Sequence, residues 1–142
     1  MGYVSWALVG MAGYSTVTLF VKLATRNGNF PSYLVLAIAA VIVAVAAVSI
    51  SLLHGDFRNL APHDFINPGA LWSYAAGVAL TIAVASLFRA LYLGPASVVV
   101  PIYGMFILGG SILGIVFLGE PISLRKILGL GLAVAGVFLI TK

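Results

Sequence analysis

Charge is what this sequence has least of. Asp, Glu, Lys and Arg make up only 7% of the 142 residues, whereas about 25% is usual for a soluble domain. Hydrophobic residues, in contrast, account for 63% of the chain. A chain with so few charged groups cannot cover a water-facing surface, which excludes an ordinary soluble globular protein.

Cysteine is absent altogether. The chain therefore has no disulfide framework, no thiolate chemistry and no cysteine-based metal site. Its seven Lys and Arg residues give a net charge of +4, but they are scattered and form no basic face, which argues against nucleic acid as a partner. Basic residues at the ends of apolar stretches are typical of contacts with anionic headgroups, so membrane lipids are an expected partner.

Long apolar stretches fill most of the chain. They are Tyr3–Leu23, Ser32–Leu53, Ala70–Leu93, Ala96–Leu118 and Leu124–Thr141. A hydrocarbon core of about 30 Å is crossed by roughly 20 helical residues. Helix is the expected state, because open strands would leave backbone groups unpaired in lipid. The sequence thus predicts an all-α, multi-pass membrane protein of five transmembrane helices, with residues 1–142 forming a single domain.

The odd number of spans places the two termini on opposite sides of the membrane. Two copies inserted in opposite senses would form a ten-helix unit with an in-plane pseudo-two-fold axis, the inverted-repeat plan of many transporters. The side of the N-terminus carries Arg58, Arg125 and Lys126, and the opposite side carries Lys22, Arg26, Arg89 and Lys142. Three charges against four is too small a bias to set one orientation decisively. The balance favours insertion in both orientations and pairing of the chain with itself.

Small residues in the last two spans predict close helix contacts. Gly110 and Gly114 are four residues apart, as are Gly129 and Ala133, and this spacing lets backbones approach on one helical face. We expect Gly110, Gly114, Gly129, Ala133 and Gly136 to pack helices, preferably between two copies.

Pro101 lies inside the fourth span and removes one backbone donor from it. A proline in a helix interior kinks the helix or marks a flexing point. Pro101 and the neighbouring Gly104 are therefore the predicted hinge.

A few polar side chains remain to line a pathway. Tyr14, Ser15, Thr18 and Lys22 share one face of the first span, and a polar stripe in hydrocarbon turns toward a cavity or another helix. The competing interpretation is that the Ser and Thr hydroxyls only bond to backbone carbonyls. Lys22 lies near the end of the span, so we expect its amino group to reach the headgroups.

Arg89 lies near the end of the third span, with Thr81 two turns earlier on nearly the same face. Its charge could bind an anionic or zwitterionic substrate, with interfacial anchoring as the competing role. Tyr103 adds a hydroxyl beside the predicted hinge. The predicted substrate-binding residues are Tyr14, Ser15, Thr18, Thr81, Arg89 and Tyr103.

An enzyme is not indicated. The chain has no nucleophile–base arrangement and no phosphate loop, and the His and Asp residues of segment 54–69 lack helical ligand spacing. Glu120 is expected to fix a turn, with Ser123 capping the last helix and both Arg125 and Lys126 close enough to neutralise the carboxylate. No catalytic residue, metal site or cofactor is therefore expected.

The C-terminal half also carries a run of short elements in a fixed order. These are Ala90-Leu91, Gly94, Ala96, Val100-Pro101-Ile102, Leu118-Gly119-Glu120, Ser123, Gly129 and Gly136. In order and spacing they resemble the second half of an EamA-type domain of the drug/metabolite transporter superfamily. The resemblance implies one half of a ten-helix inverted-repeat fold, transport of a small metabolite, pairing of two oppositely oriented copies, and a prokaryotic inner membrane.

The resemblance has two departures. The small multidrug-resistance proteins, four-helix relatives in that superfamily, use a carboxylate in the middle of the first helix, where this chain has Gly13-Tyr14-Ser15-Thr16. Two-domain EamA proteins often carry an arginine in the second span, and Ser32–Leu53 has no charge. Proton-coupled efflux of cationic drugs by the familiar route is therefore not expected, and uniport or exchange is open.

The main hypothesis is a transporter subunit that works by alternating access as an antiparallel homodimer. Two alternatives stand beside it: a non-transporting accessory or scaffold subunit of a larger membrane complex, and a carrier of a lipid-linked substrate. Self-association separates them, since a scaffold would be stable only with another protein.

Near-balanced charges predict that the chain inserts both ways. A C-terminal cysteine, unique in this cysteine-free chain, should be labelled by a membrane-impermeant reagent from both sides of the membrane. Two or three added lysines on one side should drive a single orientation. A wild-type C-terminus found wholly on one side would contradict the antiparallel homodimer.

Overall fold

A computed structural model gives the fold of residues 2–27, 30–58 and 61–141. The helices are α1 Tyr3–Asn27, α2 Ser32–His54, α3 Pro68–Leu93, α4 Ala96–Gly104, α5 Phe106–Leu118 and α6 Leu124–Thr141, with a short 3-10 helix at Pro62–Ile66. Lys142, counted above among the positive charges, lies outside the described residues.

The predicted spans are confirmed as helices. Within the described residues, five stretches are long and apolar enough to cross a membrane, with α4 and α5 together forming the fourth. The first span runs four residues past its predicted end, to Asn27, and the third begins two residues earlier, at Pro68. The fold class is therefore all-α and multi-pass.

Two glycines end helices in the left-handed conformation. Gly55 follows α2 with φ 77° and Gly119 follows α5 with φ 67°. Left-handed glycines are common helix terminators because they lack the Cβ that makes this conformation costly. The Gly55 N–H donates to the Leu52 carbonyl (3.1 Å), and the Glu120 N–H donates to the Gly114 carbonyl (3.3 Å). Each turn thus satisfies carbonyls that the helix end leaves unpaired.

The fourth span is interrupted at Met105, four residues after Pro101. Because Pro101 has no N–H, the bond from residue 101 to the Ser97 carbonyl is missing. Four residues further on, the Met105 N–H donates to the Ile102 carbonyl, three residues back instead of four, at 3.1 Å. The chain resumes as α5 at Phe106. The break agrees with the predicted kink, while movement about Pro101 and Gly104 stays a prediction.

The chain divides into two compact units, Met1–Tyr92 and Leu93–Lys142. The single domain predicted over residues 1–142 stays a prediction, and each unit is described separately. The first unit holds α1, α2 and α3.

Burial in the first unit is concentrated at one end. The buried side chains include Val21, Thr25, Ser32, Leu87, Phe88 and Leu91. They lie where α1 ends, α2 begins and α3 ends, and we call this the packed end. At the opposite end, α2 residues 40–50 are all exposed. The first unit is therefore closed at one end and open at the other.

In the second unit, α4 packs against α6. A Cβ added at Gly110, Gly129 or Gly136 would meet nothing within 4 Å, whereas one at Gly114 would lie 3.3 Å from Glu120 Cδ. The Glu120 side chain therefore covers Gly114. Gly110, Gly129 and Gly136 stay open within the described chain, and their packing role, with that of Gly114 and Ala133, stays a prediction.

Local hydrogen bonds hold the described part of the segment between α2 and α3. The Asp64 carboxylate accepts from the Ala61 N–H at 2.9 Å, and the Tyr74 hydroxyl donates to the Phe65 carbonyl at 3.1 Å. His63 lies 3.4 Å from Asp64 and is largely exposed. Among the described residues, no three His, Cys, Asp or Glu side chains are grouped as metal ligands.

The left-handed turn at Gly119 predicts a strong difference between two Gly→Ala substitutions. Gly119→Ala should lower the free energy of unfolding by about 1–2 kcal/mol, because a Cβ is disfavoured at positive φ. Gly131→Ala is the matched control, since its Cβ would meet nothing within 4 Å. Thermal unfolding in detergent, followed by circular dichroism, measures both. Equal midpoints for the two variants would contradict the left-handed turn.

Candidate functional site

The hydroxyls of the predicted α1 face bond to their own helix. Ser15 donates to the Met11 carbonyl at 2.9 Å, and Thr18 donates to the Ser15 carbonyl at 2.8 Å. Thr18 is only 9% exposed, whereas Tyr14 is 43% exposed. Each Ser or Thr hydroxyl has one donor and two acceptor lone pairs. With the donor used, each hydroxyl can only accept further hydrogen bonds, and that of Thr18 belongs to a buried residue.

Thr81 repeats the pattern on α3. Its hydroxyl donates to the Gly77 carbonyl at 2.8 Å and is exposed. The competing interpretation was that these hydroxyls only donate to backbone carbonyls. In this structure it describes Ser15, Thr18 and Thr81. It leaves the acceptor lone pairs of these hydroxyls unassigned, so their substrate role stays a prediction.

Arg89 has an aromatic partner that the sequence reading did not include. Its guanidinium carbon lies 5.4 Å from the centre of the Tyr92 ring, one turn along α3. A cation at this distance over an exposed ring is stabilised by about 0.5–1 kcal/mol. The spacing of Arg and Tyr by three residues on one helix is the signal that could have predicted it. Binding of a substrate by Arg89 stays a prediction.

Tyr103 belongs to the second unit, with the predicted hinge. It is half-buried, and its ring lies 5.9 Å from the ring of Phe106 at a tilt of 58°. The two rings therefore meet across Met105, where α4 gives way to α5. The structure thus brings Tyr14, Ser15 and Thr18 together on α1, and Thr81 and Arg89 on α3, with Tyr103 beside the helix break.

Lys22 has a partner that the sequence did not predict. Its ammonium donates to the Leu91 carbonyl at 2.8 Å, 69 residues along the chain. Contact of the ammonium with the headgroups stays a prediction. The usual i+4 donor for Leu91 would be residue 95, which is a proline without an N–H. Leu91 is fully buried, so a donor for its carbonyl is valuable. Lys22 thereby joins the end of α1 to the end of α3, where a positive charge also suits the helix dipole.

The turn around Glu120 agrees with prediction. Lys126, rather than Arg125, is the cation beside the carboxylate, at 3.4 Å. The Ser123 hydroxyl accepts from the Lys126 N–H at 3.2 Å, which caps α6. Both charged side chains are about half exposed, so the pair fixes a turn and contributes little stability by itself.

Comparison with known proteins places the chain among transporters. The family model described as EamA-like transporter family matches residues 1–142. A Sinorhizobium sp. protein named "uncharacterized transporter in cobO 3′ region" is 31% identical over 140 residues, covering 95% of this chain and 93% of that protein.

Two further relatives carry a substrate in their names. A protein named guanidinium exporter from Yersinia pseudotuberculosis serotype I (strain IP32953) is 34% identical over 107 residues, covering 75% of this chain and 92% of that protein. The guanidinium exporter of Salmonella typhimurium is 32% identical over 107 residues, covering 75% of this chain and 91% of that protein. No solved structure matches the chain.

The Lys22–Leu91 bond predicts different effects of two substitutions. Lys22→Met keeps the apolar stem but removes the donor, and should destabilise the fold by about 1–3 kcal/mol because a buried carbonyl loses its partner. Lys22→Arg keeps a charged donor and is the control. Thermal unfolding in detergent compares them, and a Lys22→Met protein as stable as wild type would show that the bond does not hold α1 to α3.

Proposed function

This chain belongs to the EamA-like transporter family, and we propose that it moves a small metabolite by alternating access as an antiparallel homodimer in a bacterial inner membrane. The family and the names of its relatives indicate a transporter rather than an enzyme. The homodimer, its antiparallel arrangement and the transport cycle are the proposed part.

The observation that carries the proposal is the uneven packing of the first unit. Its buried side chains lie at the packed end, and the opposite half of α2 is exposed. An inverted second copy would present its closed end beside the open end of the first. Rocking of two such copies about a site between them would expose that site to each side in turn, as in other inverted-repeat transporters.

The open glycines support self-association. Gly110, Gly129 and Gly136 have no atom of the described chain within 4 Å of an added Cβ, and small residues of this kind let a second helix approach closely. Balanced positive charge, with insertion in both orientations, would supply the inverted partner.

The substrate that fits the α1 face is a small solute rich in N–H donors. Ser15 and Thr18 offer acceptor lone pairs once their own donors are used, and Tyr14 adds a partly exposed ring that can lie against a cation. Guanidinium, which has several N–H donors, is therefore the first candidate, and the names of the exporters above point the same way. The chain's acids are Asp56, Asp64 and Glu120, all outside the spans, so a carboxylate within a span would not couple this transport to protons.

Two threonines on α1 give a matched test of the site. Thr18→Val should lower guanidinium flux in proteoliposomes about fivefold, the loss expected when one hydrogen bond is removed. Thr16→Val makes the same chemical change on a different face, where the hydroxyl also bonds to its own helix, donating to the Ala12 carbonyl at 2.9 Å, and should leave flux unchanged. Tyr14→Ala, which removes the ring that can lie against a cation, should also reduce flux while the dimer stays folded.

The same proteoliposomes test whether the protein is a transporter or a scaffold subunit. Equal flux in both threonine variants would remove the α1 face from the pathway. A wild-type protein that is inactive toward guanidinium and other small N–H donors, and stable only with a second kind of protein, would contradict the transporter homodimer and favour the scaffold alternative.

A further inference from the structure

A groove between α1 and α2 has no part in the proposed transport site. Its volume is about 860 Å³, and it is lined by Val17, Phe20, Val21, Leu23, Ala24, Phe30, Val35, Ile38, Ala39, Ile42, Val43 and Phe88. All of these side chains are apolar, so the groove offers nothing to a polar solute. Its size falls within the range of roughly 300–1,000 Å³ that is usual for small-molecule pockets. We call it the α1–α2 groove.

The α1–α2 groove reaches across one leaflet. Its α2 lining runs from Val35 to Val43, which at a rise of 1.5 Å per residue is roughly 12 Å. Half of a hydrocarbon core is about 15 Å. The groove therefore lies at the depth of one lipid chain, on the side of the packed end.

Charge at the packed end is of one sign. Lys22, Arg26 and Arg89 lie there, whereas the two carboxylates of the first unit, Asp56 and Asp64, lie between α2 and α3 at the opposite end. Arg26 is exposed, and among the described residues no carboxylate pairs with it. A negatively charged headgroup would find attraction and no repulsion from the first unit at this end.

Ser32 marks the point where a headgroup would bind. It stands at the first position of α2, between Phe30 and Val35 of the groove lining, and is 2% exposed. Its hydroxyl has no hydrogen-bond partner within the described chain, which is costly for a buried polar group. The N–H groups of the first turn also lack a side-chain cap, because the residue before the helix is Pro31. The Leu34 and Val35 N–H groups donate to the Pro31 carbonyl, so the N–H groups left to attract phosphate at this helix N-terminus are those of Ser32 and Tyr33.

We propose that the α1–α2 groove binds one acyl chain of an anionic phospholipid, with the phosphate accepting hydrogen bonds at Ser32 and the start of α2 beside Arg26. The lipid would complete the packing of α1 against α2 and supply the acceptor that the buried hydroxyl lacks. A helix of a second copy is the competing occupant, but it would bring no phosphate to Ser32 or Arg26.

Tryptophan quenching by brominated lipids tests the site directly. Phe30→Trp, made with Trp6→Phe and Trp72→Phe, places a single reporter in the groove lining. In phosphatidylcholine nanodiscs containing phosphatidylglycerol, chain-brominated phosphatidylglycerol should quench it more strongly than chain-brominated phosphatidylcholine at the same mole fraction. Arg26→Ala should weaken this preference about fivefold, the value expected for one surface cation, whereas Arg58→Ala at the opposite end should not.

Two further pairs of variants distinguish binding of the lipid headgroup from binding of the acyl chain. Ser32→Ala should reduce the preference for phosphatidylglycerol, and Ser49→Ala, whose hydroxyl donates to the Val45 carbonyl at 2.8 Å, should not. Ala39→Phe fills the groove and should reduce quenching by both lipids, unlike Ala46→Phe outside the lining. Circular dichroism confirms that each variant is folded.

Equal quenching by the two lipids would overturn the proposal. So would a reporter that neither lipid quenches in an intact dimer, or an Ala39→Phe protein that loses its dimer but keeps its lipid quenching. Those last two outcomes would assign the groove to a second copy of the chain.

Discussion

Hydrocarbon offers no hydrogen-bond partner, and this constraint determines how the polar groups of the backbone and of the side chains are paired. The backbone forms helices, and the hydroxyls of Ser15, Thr18 and Thr81 bond to carbonyls of their own helices. Where Pro95 removes a donor from the end of α3, the Lys22 ammonium supplies one to the Leu91 carbonyl. A membrane helix that fails to satisfy such groups loses several kcal/mol for each of them.

The same constraint explains why few polar groups remain to act on a substrate. The spans contain no carboxylate, so the polar groups left for the proposed site are hydroxyl oxygens, tyrosine rings and Arg89. Hydroxyls that have already donated can only accept, which in the proposed site would favour solutes with N–H groups over anions. The guanidinium of Arg89 would attract anions instead, and it lies over the Tyr92 ring at the end of α3.

The helices were predictable from sequence because each span is long, apolar and bounded by proline or glycine. A kink near Pro101 was predictable from its missing donor, and the helix breaks four residues later, at Met105. The packing within each unit was less accessible, because a membrane helix such as α2 is apolar on all sides and hydrophobic periodicity does not show which face meets its neighbour. Burial at the packed end, the bond from Lys22 to Leu91 and the contact of Glu120 with Gly114 depend on that packing. Of the candidate site, the sequence indicated which polar side chains exist, but not that their donors were already used.

The relative orientation of two copies tests the central claim most directly. Single cysteines at Tyr33, at the packed end of the first unit, and at His63, at its opposite end, carry spin labels without interference from native cysteine. In an antiparallel dimer, two labels at position 33 lie on opposite membrane surfaces, at least about 30 Å apart. A label at 33 then faces one at 63 of the partner across the shorter distance. Electron–electron distance measurement should therefore give a longer distance between the two labels at position 33 than between position 33 of one copy and position 63 of the other. The reverse order of these two distances would contradict the antiparallel dimer.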